Sequence, residues 1–270
     1  WHGNIQFKGC LQENKKRIAK EFNRATTVVV SSPYLKKIYS DEWNVRKEVM
    51  KDLGQPRTDK LINKKNINKK NINKENKRKL GIGQEKVILY APTHEQDGKG
   101  DKQLFPWDSD VTFQKILEGA GENTAILIRP HPYWKKNISE FIEDKIENDK
   151  RVYYMSSEIV NNTEELLYIS DVLITDWSSI YFDFLLLDRP TIFLDLPNPF
   201  KDNFLLKPKE RIGYLSTNEK ELKIHVNESL HDLEEYEKNH GKDIKRLKEK
   251  LYSKLDGEST ERCINEIIEL

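Results

Sequence analysis

The chain has 270 residues, of which 34% are charged and 36% hydrophobic, and its formal net charge is +1. This length fits one large domain or two small ones, and the near-neutral charge gives no global field that would attract nucleic acid. Two cysteines at opposite ends exclude a disulfide framework and indicate a reducing cytosol. No stretch reaches the roughly 18 apolar residues of a membrane-spanning helix.

Residues 1–60 are predicted to be folded. A β-branched run, 26–30, stops at Ser31-Ser32-Pro33. This pattern predicts a buried strand, a turn and a helix that begins behind a serine cap. A second short unit ends at Gly54 and Pro56.

Residues 61–85 have a different composition, in which NKKNI at 63–67 recurs at 68–72 and is followed by NKENK. A five-residue period matches neither a helix nor a strand, so the segment is predicted to be a solvated Lys/Asn-rich linker. A basic arm that touches an anionic membrane is the alternative.

From residue 86 onward, apolar strands alternate with helices. Five strands are predicted in KVILYAPT, NTAILIRPHP, RVYYMS, DVLITDWSS and PTIFLDL. Continuous apolar strands separated by helices are typical of a parallel sheet covered on both faces, which predicts an α/β domain over 86–255. A last helix within 256–270 carries an apolar stripe, Cys263, Ile264, Ile267 and Ile268, and is expected to pack back on the body.

Polar segments follow four of these strands. They are 91–94, 129–132, 175–179 and 195–197. Ligands of open parallel sheets bind beyond the carboxyl ends of the strands, so one pocket is expected there. Ser178 and Ser179 lie where a strand turns into a helix, and their hydroxyls with free backbone N–H groups would cradle phosphate. An ordinary helix cap is the alternative.

Arg129 and His131 are two further candidates at a strand end. The arginine could hold a diphosphate, and the histidine could steady a leaving phosphate or bond only to backbone. Asp108-Ser109-Asp110 resembles a metal-binding pattern but lies in a charged loop, so surface carboxylates are favoured and no metal is assigned. Neither a dinucleotide fingerprint nor a Walker loop is present, and no cofactor is assigned.

Several segments, in their order, resemble the CDP-glycerol glycerophosphotransferases of teichoic acid and capsule synthesis. They are WHGNIQFKG, SSPYLKKIY, LGQPRTD, VILYAPT, IRPHP and SDVLITDWSSIYFDFLLLDRPTIFLD. The resemblance covers nearly the whole chain outside 61–85. It implies a GT-B-like fold, with 1–60 as the C-terminal part of an acceptor-side Rossmann-like domain and 86–255 as the donor-binding domain.

The resemblance also implies an activity, the transfer of glycerol phosphate from CDP-glycerol, or a related CDP-polyol, to a hydroxyl of a membrane-linked polymer. His2 would be the base and His131 would steady the departing phosphate. The donor-binding candidates are Thr93, Arg129, Thr175, Asp176, Ser178, Ser179 and Asp183. The expected location is the cytoplasm, with the inner face of the membrane left open.

The sequence departs from the family pattern at three places. Asn4-Ile5 follow Trp-His-Gly where the family has Thr-Pro, His94-Glu95 follow the Ala-Pro-Thr segment, and Trp177 replaces the commoner tyrosine. The first two differences leave the acceptor and the exact donor open. A nucleotide-sugar glycosyltransferase or a sugar-phosphate transferase of capsule synthesis is the alternative.

Overall fold

A computed structural model of the chain describes residues 12–66, 69–93, 105–130, 136–197 and 206–269. The helices in these ranges are α1 Gln12–Arg24, α2 Pro33–Trp43, α3 Asp59–Asn66, α4 Lys69–Lys79, α5 Ser109–Ala120, α6 Lys136–Asn148, α7 Thr163–Ile169, α8 Ile180–Leu185, α9 Glu219–His231, α10 Leu233–Leu251 and α11 Ser259–Ile268. The strands are β1 Val28–Val30, β2 Met50–Asp52, β3 Lys86–Tyr90, β4 Thr124–Ile128, β5 Val152–Tyr154, β6 Val172–Thr175, β7 Thr191–Leu194 and β8 Tyr214–Ser216.

The larger sheet has six strands in the order β5-β4-β3-β6-β7-β8, and every neighbouring pair is parallel. Counted within this sheet, the order is third, second, first, fourth, fifth, sixth, which is the Rossmann order. The strand order reverses between β3 and β6. In doubly wound sheets such a reversal marks the carboxyl edge as the place where ligands bind, and the polar segments were expected at that edge.

Both faces of this sheet are covered, as the continuous apolar strands predicted. Leu89, Leu127 and Leu173 pack into one hydrophobic layer, whereas Ile88 and Ile126 pack into the other. Successive side chains of a strand point to opposite faces, so each run of apolar residues contributes to both layers. The predicted α/β parallel sheet is therefore confirmed, and β8 is a sixth strand that the sequence pattern did not reveal.

The N-terminal unit, described here over residues 12–60, contains a small parallel sheet of β1 and β2. Val30 and Met50 are fully buried there, beside the stacked rings of Tyr39 and Trp43. Ser32 caps α2, because its hydroxyl accepts a hydrogen bond from the Leu35 amide at 3.2 Å. The predicted strand and serine-capped helix at 26–39 are thus both present.

The segment predicted to be a solvated linker is largely helical. It forms α3 and α4, both of which contact α7 of the larger domain. Leu61 and Ile62 are buried in the main hydrophobic core. Leu61 and Ile62 come just before the five-residue repeat, so the repeat itself gave no sign of this contact, and their burial helps to hold α3 in place.

The C-terminal helix α11 contacts the body, but not through the predicted stripe. Ile267 and Ile268 are 69% and 76% exposed. Polar contacts hold the helix to the N-terminal unit instead. Asp59 accepts hydrogen bonds from the Ser259 amide at 3.1 Å and from the amide and hydroxyl of Thr260, each at 2.7 Å.

Among the described residues, no helix combines the length and apolar character needed to cross a membrane.

Asp59→Ala removes the carboxylate that caps α11. Because Asp59 is only 6% exposed, the amides of Ser259 and Thr260 would be left without a hydrogen-bond acceptor. We expect the free energy of unfolding to fall by roughly 1–3 kcal/mol, measured by urea denaturation. Asp41→Ala, at an exposed position on α2, is the matched control and should change it by less than about 0.5 kcal/mol. Equal effects of the two substitutions would contradict the assignment of Asp59 as the cap of α11.

Candidate functional site

The site lies at the carboxyl edge, where the chain leaves β3 and β6. Two hydrogen bonds tie these strand ends together. The Ala91 amide donates to the Ile174 carbonyl at 3.0 Å, and the Thr175 hydroxyl donates to the Ala91 carbonyl at 2.7 Å. Thr175 is fully buried, so its hydroxyl serves this strand contact. The predicted role of Thr175 in binding a donor stays a prediction, and the contact that the structure shows for its hydroxyl is the one to Ala91.

Asp176 joins the two loops that follow these strands. Its carboxylate accepts from the Thr93 amide at 2.8 Å and from the Thr93 hydroxyl, and it also accepts from the Trp177 amide at 2.5 Å. The side chain is only 4% exposed. Asp176 and Thr93, both predicted to bind a donor, are therefore brought together, and the visible role of Asp176 is to position the crevice.

Ser178 and Ser179 form the turn between β6 and α8. Both residues are half-buried, and the Ser179 side chain makes no capping hydrogen bond. The Ser178 hydroxyl makes only a long contact, 3.5 Å, with the Ile180 amide. Helix α8 has six residues, so its dipole is small and the hydroxyls and turn amides are the main groups available to an anion.

Trp177 and Arg211 form a pair that the sequence analysis missed. The Trp177 indole donates to the Leu196 carbonyl at 3.2 Å, and the Arg211 guanidinium lies 3.8 Å from the centre of its ring. Burial lowers the pKa of Arg211, while the carboxylates of Asp195 and Asp176 oppose that shift. Within the described part of the chain, the buried Nη1 of Arg211 has no hydrogen-bond partner. Arg211 precedes β8 in an unpatterned loop, which gave no sequence signal.

Arg129 lies at the end of β4, but its guanidinium is turned toward protein carbonyls. Nη1 donates to Met155 at 2.8 Å and to Val160 at 2.7 Å, and Nη2 donates to the Thr163 hydroxyl at 3.1 Å. These bonds fix the loop after β5. They leave little of the guanidinium for a diphosphate, which differs from the predicted donor-binding role.

Asp183, the last of the predicted donor-binding residues, faces the N-terminal unit. Its carboxylate is paired with Arg57 at 2.8 Å and is 7% exposed. Burial raises the pKa of Asp183 to about 6, and the Arg57 guanidinium opposes that shift. The contact joins α8 to the turn at Pro56–Thr58, and the donor-binding role of Asp183 stays a prediction.

Three other candidates complete the comparison with the sequence. His2 and His131 lie outside the described residues, so their roles stay predictions. Asp108 caps α5 by accepting from the Val111 amide at 2.9 Å, and Asp110 pairs with Lys145 at 2.5 Å. Among the residues that the structure describes, no group of three or more His, Cys, Asp or Glu residues could hold a metal ion.

The parallel strand order, with its reversal between β3 and β6, defines an α/β domain of the Rossmann type. A family model described as CDP-glycerol:poly(glycerophosphate) glycerophosphotransferase matches residues 1–269. The chain therefore belongs to this family.

The curated relatives are longer than this chain. A teichoic acid glycerol-phosphate transferase of Staphylococcus aureus is 27% identical over 205 residues, which are 72% of this chain and 50% of that protein. A teichoic acid poly(ribitol-phosphate) polymerase of Bacillus spizizenii is 26% identical over 256 residues, 93% of this chain and 38% of that protein. The chain thus spans half the length, or less, of these relatives.

A solved structure of the wall teichoic acid polymerase TagF covers 100% of this chain, which aligns with 66% of that protein. The TM-score is 0.77 and the identity 22%. A further TagF structure, with a TM-score of 0.75, was obtained after a soak with CDPG. At this level of identity the likeness shows the fold alone, and it supports the parallel α/β architecture.

Asp176→Asn replaces one acceptor oxygen by a donor amide that faces other donors. We expect a loss of roughly 1–3 kcal/mol in the free energy of unfolding and faster hydrogen exchange at the Thr93 and Trp177 amides. Urea denaturation and NMR exchange measure the two effects. Asp144→Asn, at an exposed position of α6, is the control. Unchanged exchange at both amides would show that Asp176 does not hold these loops.

Asp183 should make stability depend on pH near neutrality. Its pKa rises from 3.8 to about 6 on folding, so between these values the native state holds more protons than the unfolded state. The stability present below pH 3.8 is then lost as the pH rises through 6. Urea denaturation from pH 4.5 to 7.5 should show a steeper fall for the parent chain than for Asp183→Asn. Parallel curves would contradict the raised pKa.

Proposed function

We propose that the chain is part of a transferase that moves glycerol phosphate from CDP-glycerol to a hydroxyl of a teichoic-acid-type acceptor and releases CMP. The observation that carries the proposal is the position of the Trp177-Ser178-Ser179 turn. It lies at the carboxyl edge, beside the reversal of strand order, where doubly wound sheets bind nucleotides. The family match over residues 1–269 supplies the donor and the type of acceptor.

The reaction is a displacement at the phosphorus that bears glycerol. The acceptor oxygen forms a new bond to that phosphorus, and the bond to the bridging oxygen of the diphosphate breaks. CMP leaves with the electron pair of that bond, and the proton of the acceptor hydroxyl passes to a base. His2 is proposed as the base and His131 as the group that steadies the leaving phosphate, both by resemblance to the family.

The described residues supply binding and position. Ser178 and Ser179 offer hydroxyl and backbone donors to the diphosphate, and Asp176 holds the neighbouring loop in register. Arg211 adds a fixed positive charge beside this turn, because its stacking on Trp177 limits its movement. A charged donor in a partly buried position binds phosphate more strongly than a neutral one.

The arrangement of domains belongs to the same proposal. The N-terminal unit would be the remainder of an acceptor-side domain in a GT-B-like enzyme, and the six-stranded domain would bind the donor. The acceptor would be linked to a membrane, so the reaction would occur at the inner face of the cell membrane. The two separate parallel sheets support this division.

Release of CMP from CDP-glycerol tests the proposal. We expect Ser178→Ala and Ser179→Ala each to raise the Kd for CDP-glycerol about tenfold, since a hydrogen bond to a charged group contributes roughly 1.5–3 kcal/mol. His2→Ala and His131→Ala should lower the rate of CMP release by about 10²–10⁴-fold. Calorimetry and a CMP assay measure these effects.

Ser40→Ala, on α2 and away from the carboxyl edge, is the matched control and should leave both quantities unchanged. Normal turnover in both histidine variants would overturn the catalytic assignment. A panel of donors, CDP-glycerol, CDP-ribitol and UDP- or GDP-sugars, separates the alternatives. Activity restricted to the UDP- or GDP-sugars would support the glycosyltransferase alternative, and comparison of CDP-ribitol with CDP-glycerol would define the polyol.

A further inference from the structure

A second concave surface lies at the amino edge of the six-stranded sheet. It is a cavity of about 1770 Å³ between α4 and α10, and its floor includes the starts of β3 and β7. We call this surface the basic groove, and its two walls carry Lys74, Lys77, Arg78, Lys242, Lys245 and Lys248. The strands separate it from Ser178 by about 15 Å, at roughly 3.3 Å per residue, so it is distinct from the donor crevice.

The groove concentrates positive charge in a chain that is almost neutral. Among the residues that the structure describes, eight Lys or Arg and four Asp or Glu line it, whereas the formal charge of the whole chain is +1. Two of the acids are already engaged. Asp188 pairs with Lys248 at 2.5 Å, and Asp171 accepts from the Val87 amide at 2.8 Å.

Most of the remaining cations on the walls are uncompensated. Within the described ranges, Lys74, Lys242 and Lys245 make no ion pair within 4.0 Å. Deeper in the groove, burial lowers the pKa of Lys77, and repulsion from Arg189 and Lys86 adds to that effect, whereas the Asp171 carboxylate, 4.0 Å from the Lys77 ammonium, opposes it. A bound anion would relieve this repulsion and would be attracted by both walls at once.

The groove also contains a polar atom that lacks a partner. Ser229 on α9 is 1% exposed, and among the described residues its hydroxyl oxygen has no hydrogen-bond partner. A buried hydroxyl without a partner costs free energy, so a ligand that accepts its proton would gain from binding here. Leu230 and Ile244 line the same cavity and offer apolar contact to the carbon atoms of such a ligand.

We propose that the basic groove binds a linear phosphodiester polyanion. Lys242, Lys245 and Lys248 follow one side of α10 over about 9 Å, at 1.5 Å per residue, and face a second row of cations on α4. Two facing rows in a concave groove fit a flexible chain with repeating phosphates better than a flat membrane surface. Poly(glycerol phosphate) has this chemistry, and its choice as the polymer rests on the proposed function.

Binding of a fluorescent poly(glycerol phosphate) oligomer, followed by anisotropy at low salt, tests the proposal. The charge-reversal variant Lys242→Glu/Lys245→Glu should weaken binding at least tenfold, and added salt should weaken binding to the parent chain. Lys60→Glu/Lys220→Glu makes the same change of charge at exposed positions outside the groove and should bind as the parent does. Circular dichroism of each variant checks that it is folded.

Equal binding by the groove variant and the control variant would overturn the proposal. So would groove-dependent binding of phosphatidylglycerol vesicles with no binding of the oligomer, because the surface would then be a membrane contact. The assay is independent of turnover. CMP release without groove-dependent binding would refute this inference alone, whereas groove-dependent binding without CMP release would refute only the proposed function.

Discussion

The arrangement of the carboxyl edge depends on one buried carboxylate. Asp176 receives hydrogen bonds from the loop after β3 and from the turn after β6, so it joins two strands that lie side by side where the strand order reverses. An unpaired buried carboxylate would be strongly unfavourable, and these donors are what allow it to stay in place. The same bonds fix the direction in which Ser178 and Ser179 leave the sheet. The geometry of any phosphate site at this edge therefore follows from Asp176.

Much of this architecture could be predicted from the sequence because it depends on long apolar runs. The five predicted strands of the larger sheet are all present, and the segments that follow β3 and β6 meet as expected. Backbone pairing forces the carboxyl ends of parallel strands to one edge, so the location of the site follows from the pattern alone. What the pattern could not give is the direction of each side chain. Arg129 and Asp183 lie near the expected places, yet both are turned toward protein partners.

Other features depend on contacts between distant parts of the chain, and such contacts leave no local signal. The Lys/Asn-rich segment is largely helical, with Leu61 and Ile62 in the core just before the repeat, although the composition of the repeat favours solvent. Arg211 is separated from Trp177 by more than thirty residues in the sequence, and only the fold stacks the two side chains. The prediction for α11 was wrong in the opposite way. Its apolar stripe leaves isoleucines exposed, and the contact of Asp59 with the start of the helix holds α11 in place.

The net charge of +1 conceals an uneven distribution of charged groups between the two edges of the six-stranded sheet. The carboxyl edge combines the fixed cation Arg211 with two carboxylates, Asp176 and Asp195, which suits a ligand held at a defined point. The amino edge has two rows of lysines with few partners, which suits a ligand held loosely along its length. The proposed transfer requires that the donor be aligned to within a bond length, whereas the proposed polymer contact requires only a loose hold along the polymer. The six parallel strands keep the two surfaces apart, so a bound polymer would not compete with the diphosphate for the same cations.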